Sequence, residues 1–270
     1  MNGEELKELT LSVCEVARQA GSFIRNERQQ FRSESIQRKH AHDYVSYVDK
    51  QSEQLIVGRL RSLLPQAGFI TEEGSASHGS ESCCWVVDPL DGTTNFIHRF
   101  PPYAVSIALM LGDDIVLGVV YEICADECFY AWQGGGAYCN GEAIGVGHSD
   151  LNDALLCLQL PYNSDAYKPV IKRLTDHFYG RVASIRMIGS AAVALCYVAA
   201  GRLDGYAEKY IGQWDYMAGA IIVKEAGGMV TDYDGSTRFT HGNNIVATNG
   251  TIHQALLEGI KLSVVDPTAA

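Results

Sequence analysis

The densest chemical signal in the chain is Trp85-Val86-Val87-Asp88-Pro89-Leu90-Asp91-Gly92-Thr93-Thr94-Asn95-Phe96, where an apolar strand ends on Asp88, a proline turns the chain, and Asp91 opens a short helix. Two carboxylates three residues apart at such a corner can face one point. The amides of Gly92, Thr93 and Thr94 are then first-turn donors without partners inside the helix. Carboxylates beside amide donors suit an anion only if cations lie between them. A hard divalent ion resolves the conflict, because magnesium takes oxygen ligands and is held by a few carboxylates together with substrate phosphate and water. Taken singly, Asp91 is an N-cap and Asp88 a strand end in solvent; the string as a whole argues for the metal.

Two more acidic positions are candidates for the same corner. Glu72 and Glu73 follow a short apolar strand at 68–70, and adjacent carboxylates repel unless exposed or bound to a cation. Asp215, in Gln213-Trp214-Asp215-Tyr216, precedes a helix of small residues that ends in Gly227-Gly228; by itself it reads as a cap. Other conspicuous residues lack chemistry. Gly134-Gly135-Gly136 has no GK[ST] ending and precedes no helix, so it is turn material. His40, His42, His98 and His148 share no ligand spacing and read as surface or capping residues. Tyr206, Tyr210 and Tyr216 read as core or interface aromatics. The cysteines at 14, 83, 84, 124, 128, 139, 157 and 196 form no CxxC pair or zinc ribbon and read as buried free thiols of a reducing compartment.

Positioning elements can be read from periodicity. Apolar steps of three and four predict an amphipathic helix over 4–28 and another over 50–64, with Asp49 at the cap position of the second. A polar stretch from 31 to 43 between them reads as a loop or an irregular strand pair. Strands follow at 68–70, 84–87, 103–111, 115–121 and 127–132, with Asn140-Gly141 marking a hairpin. From about 151 the texture alternates: strands at 154–160, 183–187, 203–207, 229–231 and 245–247, helices at 168–178, 190–200, 216–226 and 251–262. The fold class is therefore α/β, with an α+β N-terminal half (1–150) and an α/β C-terminal half (151–270) and the site at their junction.

Composition bounds the partners. The 270 residues are 47% hydrophobic and 20% charged with 27 Gly and 7 Pro, an ordinary globular balance that excludes disordered, collagenous and coiled-coil classes. The formal charge of -11 repels polyanions, so nucleic acid and anionic membrane are poor partners, and a phosphorylated substrate needs a bound cation to reverse the local field. The acidic start MNGEELKELTLS lacks the basic and apolar regions of an export signal, which predicts a cytoplasmic protein.

These residues resemble the inositol monophosphatase family of magnesium-dependent, lithium-inhibited phosphomonoesterases. The likeness rests on DPLDGTTNF (88–96) with the HRFP that follows, Trp214-Asp215, and Glu225-Ala226-Gly227-Gly228, and runs from the first helix to Asn249. It implies a layered αβαβα sandwich of the inositol monophosphatase and fructose bisphosphatase type, a homodimer, and two or three magnesium ions per site. By the resemblance, Glu72, Asp88, Asp91, Asp215 and the Leu90 carbonyl ligate metal, and Thr93, Asp49 and Glu72 are catalytic, Thr93 and Asp49 orienting and helping to deprotonate the attacking water. The amides of Gly92 and Thr93 cradle phosphate, while Asp91, Asp215, Gly189, Ser190, Ala191 and Glu208 meet the substrate. Thr71-Glu72-Glu73-Gly74 and Val45-Ser46-Tyr47-Val48-Asp49 depart from the family at flanking positions, and Lys39, one residue too near Asp49, stays outside the site.

The expected activity is hydrolysis of myo-inositol monophosphate to inositol and phosphate by a metal-activated water. The Thr94-Asn95-Phe96 ending resembles the inositol branch rather than the 3′-phosphoadenosine 5′-phosphate branch. The alternatives are a related phosphomonoesterase acting on fructose bisphosphate, histidinol phosphate or 3′-phosphoadenosine 5′-phosphate, and a non-catalytic binding member.

Overall fold

In the computed structural model, which describes residues 1–31, 37–40, 43–76, 82–159 and 167–264, the chain opens with α1 (Gly3–Gln30), the short pair β1 (Gln37–His40) and β2 (Asp43–Val45), and α2 (Tyr47–Leu63). Then come β3 (Gly68–Thr71), β4 (Cys83–Asp91), α3 (Thr93–His98), β5 (Ala104–Leu111), β6 (Asp114–Glu122), β7 (Glu127–Trp132), β8 (Ala137–Cys139) and β9 (Glu142–Ile144). The rest is β10 (Leu155–Leu158), α4 (Lys168–Phe178), β11 (Ser184–Arg186), α5 (Ala191–Ala199), β12 (Gly205–Lys209), α6 (Gln213–Glu225), β13 (Met229–Thr231), β14 (Asn244–Thr248) and α7 (His253–Val264). Parts of the expected 31–43 loop, His42 and Leu160 lie outside the described residues.

Helix starts are where the sequence reading needed correction. Asp49 does not cap α2. Ser46 does, its Oγ accepting from the Val48 amide at 3.1 Å, while the Asp49 carboxylate reaches back to the Ser46 amide at 2.8 Å. This capping box uses the residue three places into the helix as the reciprocal acceptor. Helix α6 likewise begins at Gln213 rather than 216, with Asp215 accepting from the Gly212 amide at 2.6 Å. The hairpin at Asn140-Gly141 joins β8 to β9 with φ of 49° and 92°, the left-handed pair that a tight hairpin needs.

A seven-stranded sheet runs in the order β3-β4-β5-β6-β7-β8-β9, parallel only between β3 and β4; a five-stranded sheet runs β11-β10-β12-β14-β13. Alternation along the strands assigns their faces. Trp85 and Val87 join Ala17, Ile24, Ile56 and Leu60 of α1 and α2, while Val86 and Ala108 face Leu195, Ala218 and Ile222 of α5 and α6. On the second sheet Tyr206 and Ala247 meet the same central helices, and Leu158 and Val246 face Phe178 and Leu256 of α4 and α7. The layers are thus α1–α2, sheet, α5–α6, sheet, α4–α7, the αβαβα sandwich that the resemblance implied. Helix α5 is apolar all round because it has a sheet on each side. Burying a side chain such as Leu195 contributes about 1.5–3 kcal/mol, so the two sheets clamp α5 and α6 and fix where their N-termini point.

Candidate active site

Strand β4 extends through the proline to Asp91, with a register shift between the pairs Asp88–Ser106 and Asp91–Ala104. Three steps on one strand oppose two on the other, a bulge that re-aims the side chains beyond it. Asp91 therefore stays in the sheet and does not open the helix; Gly92, at φ 88°, caps α3. A Cβ at Gly92 would lie 3.1 Å from the Pro102 carbonyl and 3.2 Å from that of Gly189. The Asp91 carboxylate instead receives the Ser190 hydroxyl and the amides of Ala191 (3.3 Å) and Ala192 (2.9 Å) at the start of α5. A helix N-terminus is a favourable place for a negative charge.

The same turn is braced from outside. Asn95 donates to the carbonyls of Pro102 and Ile188, each at 2.8 Å, tying α3 to the segment that enters α5. Gly189, at φ 74°, must be glycine because a Cβ would stand 2.9 Å from Asn95 Oδ1. Asp88 accepts the Leu90 amide at 2.8 Å, and Ser106 of β5 donates to the Trp214 carbonyl at 3.0 Å, holding the start of α6 and Asp215 against the corner. Single carboxylate oxygens of Asp88, Asp91 and Asp215 all lie within 4.8 Å of one another.

Glu72 follows β3, its amide bonded to the Val87 carbonyl at 3.2 Å, and lines the same cavity. Sequence reasoning missed what shapes its loop: the fully buried Glu53 of α2 accepts the amides of Glu73 and Ser75, both at 2.7 Å. The available signal was its place on the buried stripe Asp49, Ser52, Glu53, Ile56 and Leu60. Asp49 lies on that stripe too, one turn earlier. The Thr93 hydroxyl sits 3.0 Å from both Asp49 Oδ1 and the Leu90 carbonyl, so one proton is shared between two acceptors. Its lone pairs remain to accept from a group in the cavity.

The cavity is lined by the carboxylates of Glu72, Asp88, Asp91, Glu208 and Asp215, and by no Lys, Arg or His among the described residues. Burial, reinforced by the neighbouring carboxylates, holds Asp88 and Asp215 well above the usual carboxylate range. Burial carries Asp91 to about 6 in spite of its donors, and Glu208 to about 8 although the Tyr206 hydroxyl opposes it. Asp49 is raised by burial as well. Buried like charges without a counter-charge require protons or cations. The donors are all oxygen, which selects a hard ion such as magnesium over a soft one, so the residues present fit the expected cofactor.

The family model described as "Inositol monophosphatase family" matches residues 5–264. The chain belongs to that family. It is 37% identical to the inositol-1-monophosphatase of Mesorhizobium japonicum over 92% of this chain and 94% of that one. It is also 37% identical to the Nus factor SuhB of Escherichia coli, over 91% and 92% respectively. Among solved structures, the extragenic suppressor protein suhB of Bartonella henselae superposes with a TM-score of 0.87 at 35% identity, covering 93% of this chain and 97% of that one.

Within this chain the remaining expected residues divide. Gly92, Thr93, Gly189, Ala191 and Glu208 line the cavity, whereas Ser190 turns its hydroxyl to Asp91. Tyr206 and Tyr216 are buried, the latter bonded to the carbonyls of Phe239 and Gly242, but Tyr210 lines the cavity and is half exposed. Glu225 stands away from the corner and accepts the amides of Gly134 and Gly136 at 2.9 and 3.0 Å, which is the role of the triple-glycine turn. His98 and His148 are exposed. The eight cysteines form no disulfide; five are buried as expected, Cys83 and Cys139 are half-buried, and Cys124 is exposed because it lies in the turn between β6 and β7.

Proposed function

We propose that the protein hydrolyses myo-inositol monophosphate to inositol and inorganic phosphate, with two or three magnesium ions held by Glu72, Asp88, Asp91, Asp215 and the Leu90 carbonyl. The observation that carries this reading is the Thr93 hydroxyl, seated on buried Asp49 beside three converging carboxylates in one cavity. Bound there, the ions would supply positive charge to the phosphoryl oxygens and leaving alkoxide and lower the pKa of water. The chain's own residues do the rest. Thr93 Oγ1 takes a proton from the attacking water as its own passes to Asp49 Oδ1, which burial keeps basic enough to receive it. The amides of Gly92 and Thr93 hold the phosphate, and Gly189, Ser190, Ala191 and Glu208 hold the alcohol. No covalent nucleophile is needed.

The relatives named inositol-1-monophosphatase support the substrate, and the free thiols support a cytoplasmic setting. None of the described helices is long and apolar enough to cross a membrane. A homodimer belongs to the same reading, with the exposed apolar side chains of Phe100, Tyr179 and Met187 as surface for it to cover. The test is phosphate release from inositol 1-phosphate, fructose bisphosphate, histidinol phosphate and 3′-phosphoadenosine 5′-phosphate, with magnesium, with chelator and with lithium. Fast, magnesium-dependent, lithium-sensitive release from inositol 1-phosphate is expected. Preference for another ester would move the error to the alcohol-binding residues, and release from none would replace this reading with a non-catalytic binding role.

A further inference from the structure

Gln159 follows β10, and its amide N–H donates to the Ala207 carbonyl at 3.1 Å, extending the parallel ladder that pairs Leu158 with Ala207. Side chains alternate along paired strands. Cys157 and Tyr206 face the central helices, Leu158 and Ala207 the outer ones, so Gln159 and Glu208 return side by side to the central face. Both line the cavity of the carboxylate cluster. Glu208 is partnered by the Tyr206 hydroxyl, but Gln159 Oε1 is buried with no hydrogen-bond partner among the described residues. Of the four buried side-chain polar atoms orphaned in this way among the described residues, it alone belongs to a residue lining this cavity.

A buried acceptor left unmade carries its whole desolvation cost, so such atoms are few in folded proteins and call for a reason. Oε1 needs a donor. Ionised carboxylates and phosphate have none to offer, which excludes the metal-bound cluster and the phosphoryl end of a substrate as its partner. A hydroxyl on the alcohol half of the ester does have one. The broad terminal torsion of glutamine lets the amide turn toward it without leaving its backbone anchor. We propose that Gln159 is a specificity-determining residue that reads a hydroxyl of the leaving alcohol beside Glu208, selecting phosphate monoesters of polyhydroxylated alcohols over esters whose leaving group has no hydroxyl. This rests on the cavity being a phosphomonoesterase site.

The experiment measures kcat and KM with magnesium for inositol 1-phosphate and phenyl phosphate, in the unaltered enzyme and in Gln159→Met, which keeps length and removes the amide. The variant is expected to lose about tenfold in kcat/KM on inositol 1-phosphate, mostly through KM, with phenyl phosphate unchanged. Its Tm should be equal or higher, because the orphaned acceptor is gone. A second arm closes the cycle: among inositol 1-phosphates deoxygenated at one position, one must lose about as much as the substitution does, and Gln159→Met must not deepen that loss. An unchanged ratio of the two esters in Gln159→Met, or additive losses for every deoxy substrate, would overturn the inference and leave the phosphatase reading standing. Turnover of neither ester by the unaltered enzyme would overturn both.

Discussion

The carboxylate cluster makes a quantitative demand on the metal-free protein. With oxygens of Asp88, Asp91 and Asp215 within 4.8 Å, Coulomb's law at an effective dielectric of 20 gives roughly 3.5 kcal/mol for each ionised pair and about 10 for the three. That rivals the whole stability of a domain, about 5–15 kcal/mol, so the cluster holds protons until a cation replaces them. Asp88 and Asp215 are raised well above the usual range and Asp91 to about 6, each first by burial. A group whose folded pKa exceeds its unfolded one binds more protons in the native state. Its contribution is therefore lost as pH rises, here through about 6 for Asp91. Magnesium titrated into chelated, dialysed protein should accordingly displace protons, in a number per chain that falls as pH rises. Calorimetry in two buffers of different ionisation enthalpy reads that number. At a free concentration near a hundred times its Kd the metal should add about 2.7 kcal/mol, a rise in Tm of roughly 5–10 °C. The increment should grow between pH 5.5 and 8. Saturable binding without proton release, with a Tm increment flat across that range, would refute the convergence of buried carboxylates described above.

Asp91→Asn keeps an acceptor for the Ala192 amide, so the fold should survive while turnover falls by roughly 10²–10³-fold or more and magnesium binds more weakly; retained activity in a phosphate-release assay sinks the metal assignment. Thr93→Val should lower kcat by about 10²–10⁴-fold while leaving the magnesium-dependent rise in Tm intact, a split that a purely structural threonine would not produce. Glu53→Ala removes the acceptor of two amides, so urea unfolding should show a loss of about 2–4 kcal/mol, and the magnesium concentration for half-maximal rate should rise because the loop bearing Glu72 is released. Sedimentation should give twice the monomer mass, and Met187→Asp should shift it toward one.

Local rules reached far along this chain. The apolar steps of α1, the Asn140-Gly141 hairpin and the strand at 127–132 depend on neighbours within a few residues, and they lie where the spacing put them. The chemistry of DPLDGTTNF was legible for the same reason: two carboxylates, a turn and a set of amide donors are contiguous. Helix starts were less legible because Ser46 and Asp49, or Gly212 and Asp215, divide one cap between them, and either member alone looks sufficient.

What the sequence determined by itself was the inventory: acids and oxygen donors, and enough alternating and helical apolar periodicity to bury them. Tertiary structure alone decided the partners. Asp91 serves the N-terminus of α5 rather than that of α3, Glu53 shapes the loop of Glu72 from another element, and Asp215 of α6 meets Asp88 of the adjoining sheet. Gln159 comes to lie beside Glu208 only through the register of β10 on β12. The physical reason is common to all four. A backbone turn or periodicity is set by short-range sterics and hydrogen bonds, whereas which buried charge meets which depends on how two sheets clamp α5 and α6, and no spacing along the chain encodes that distance.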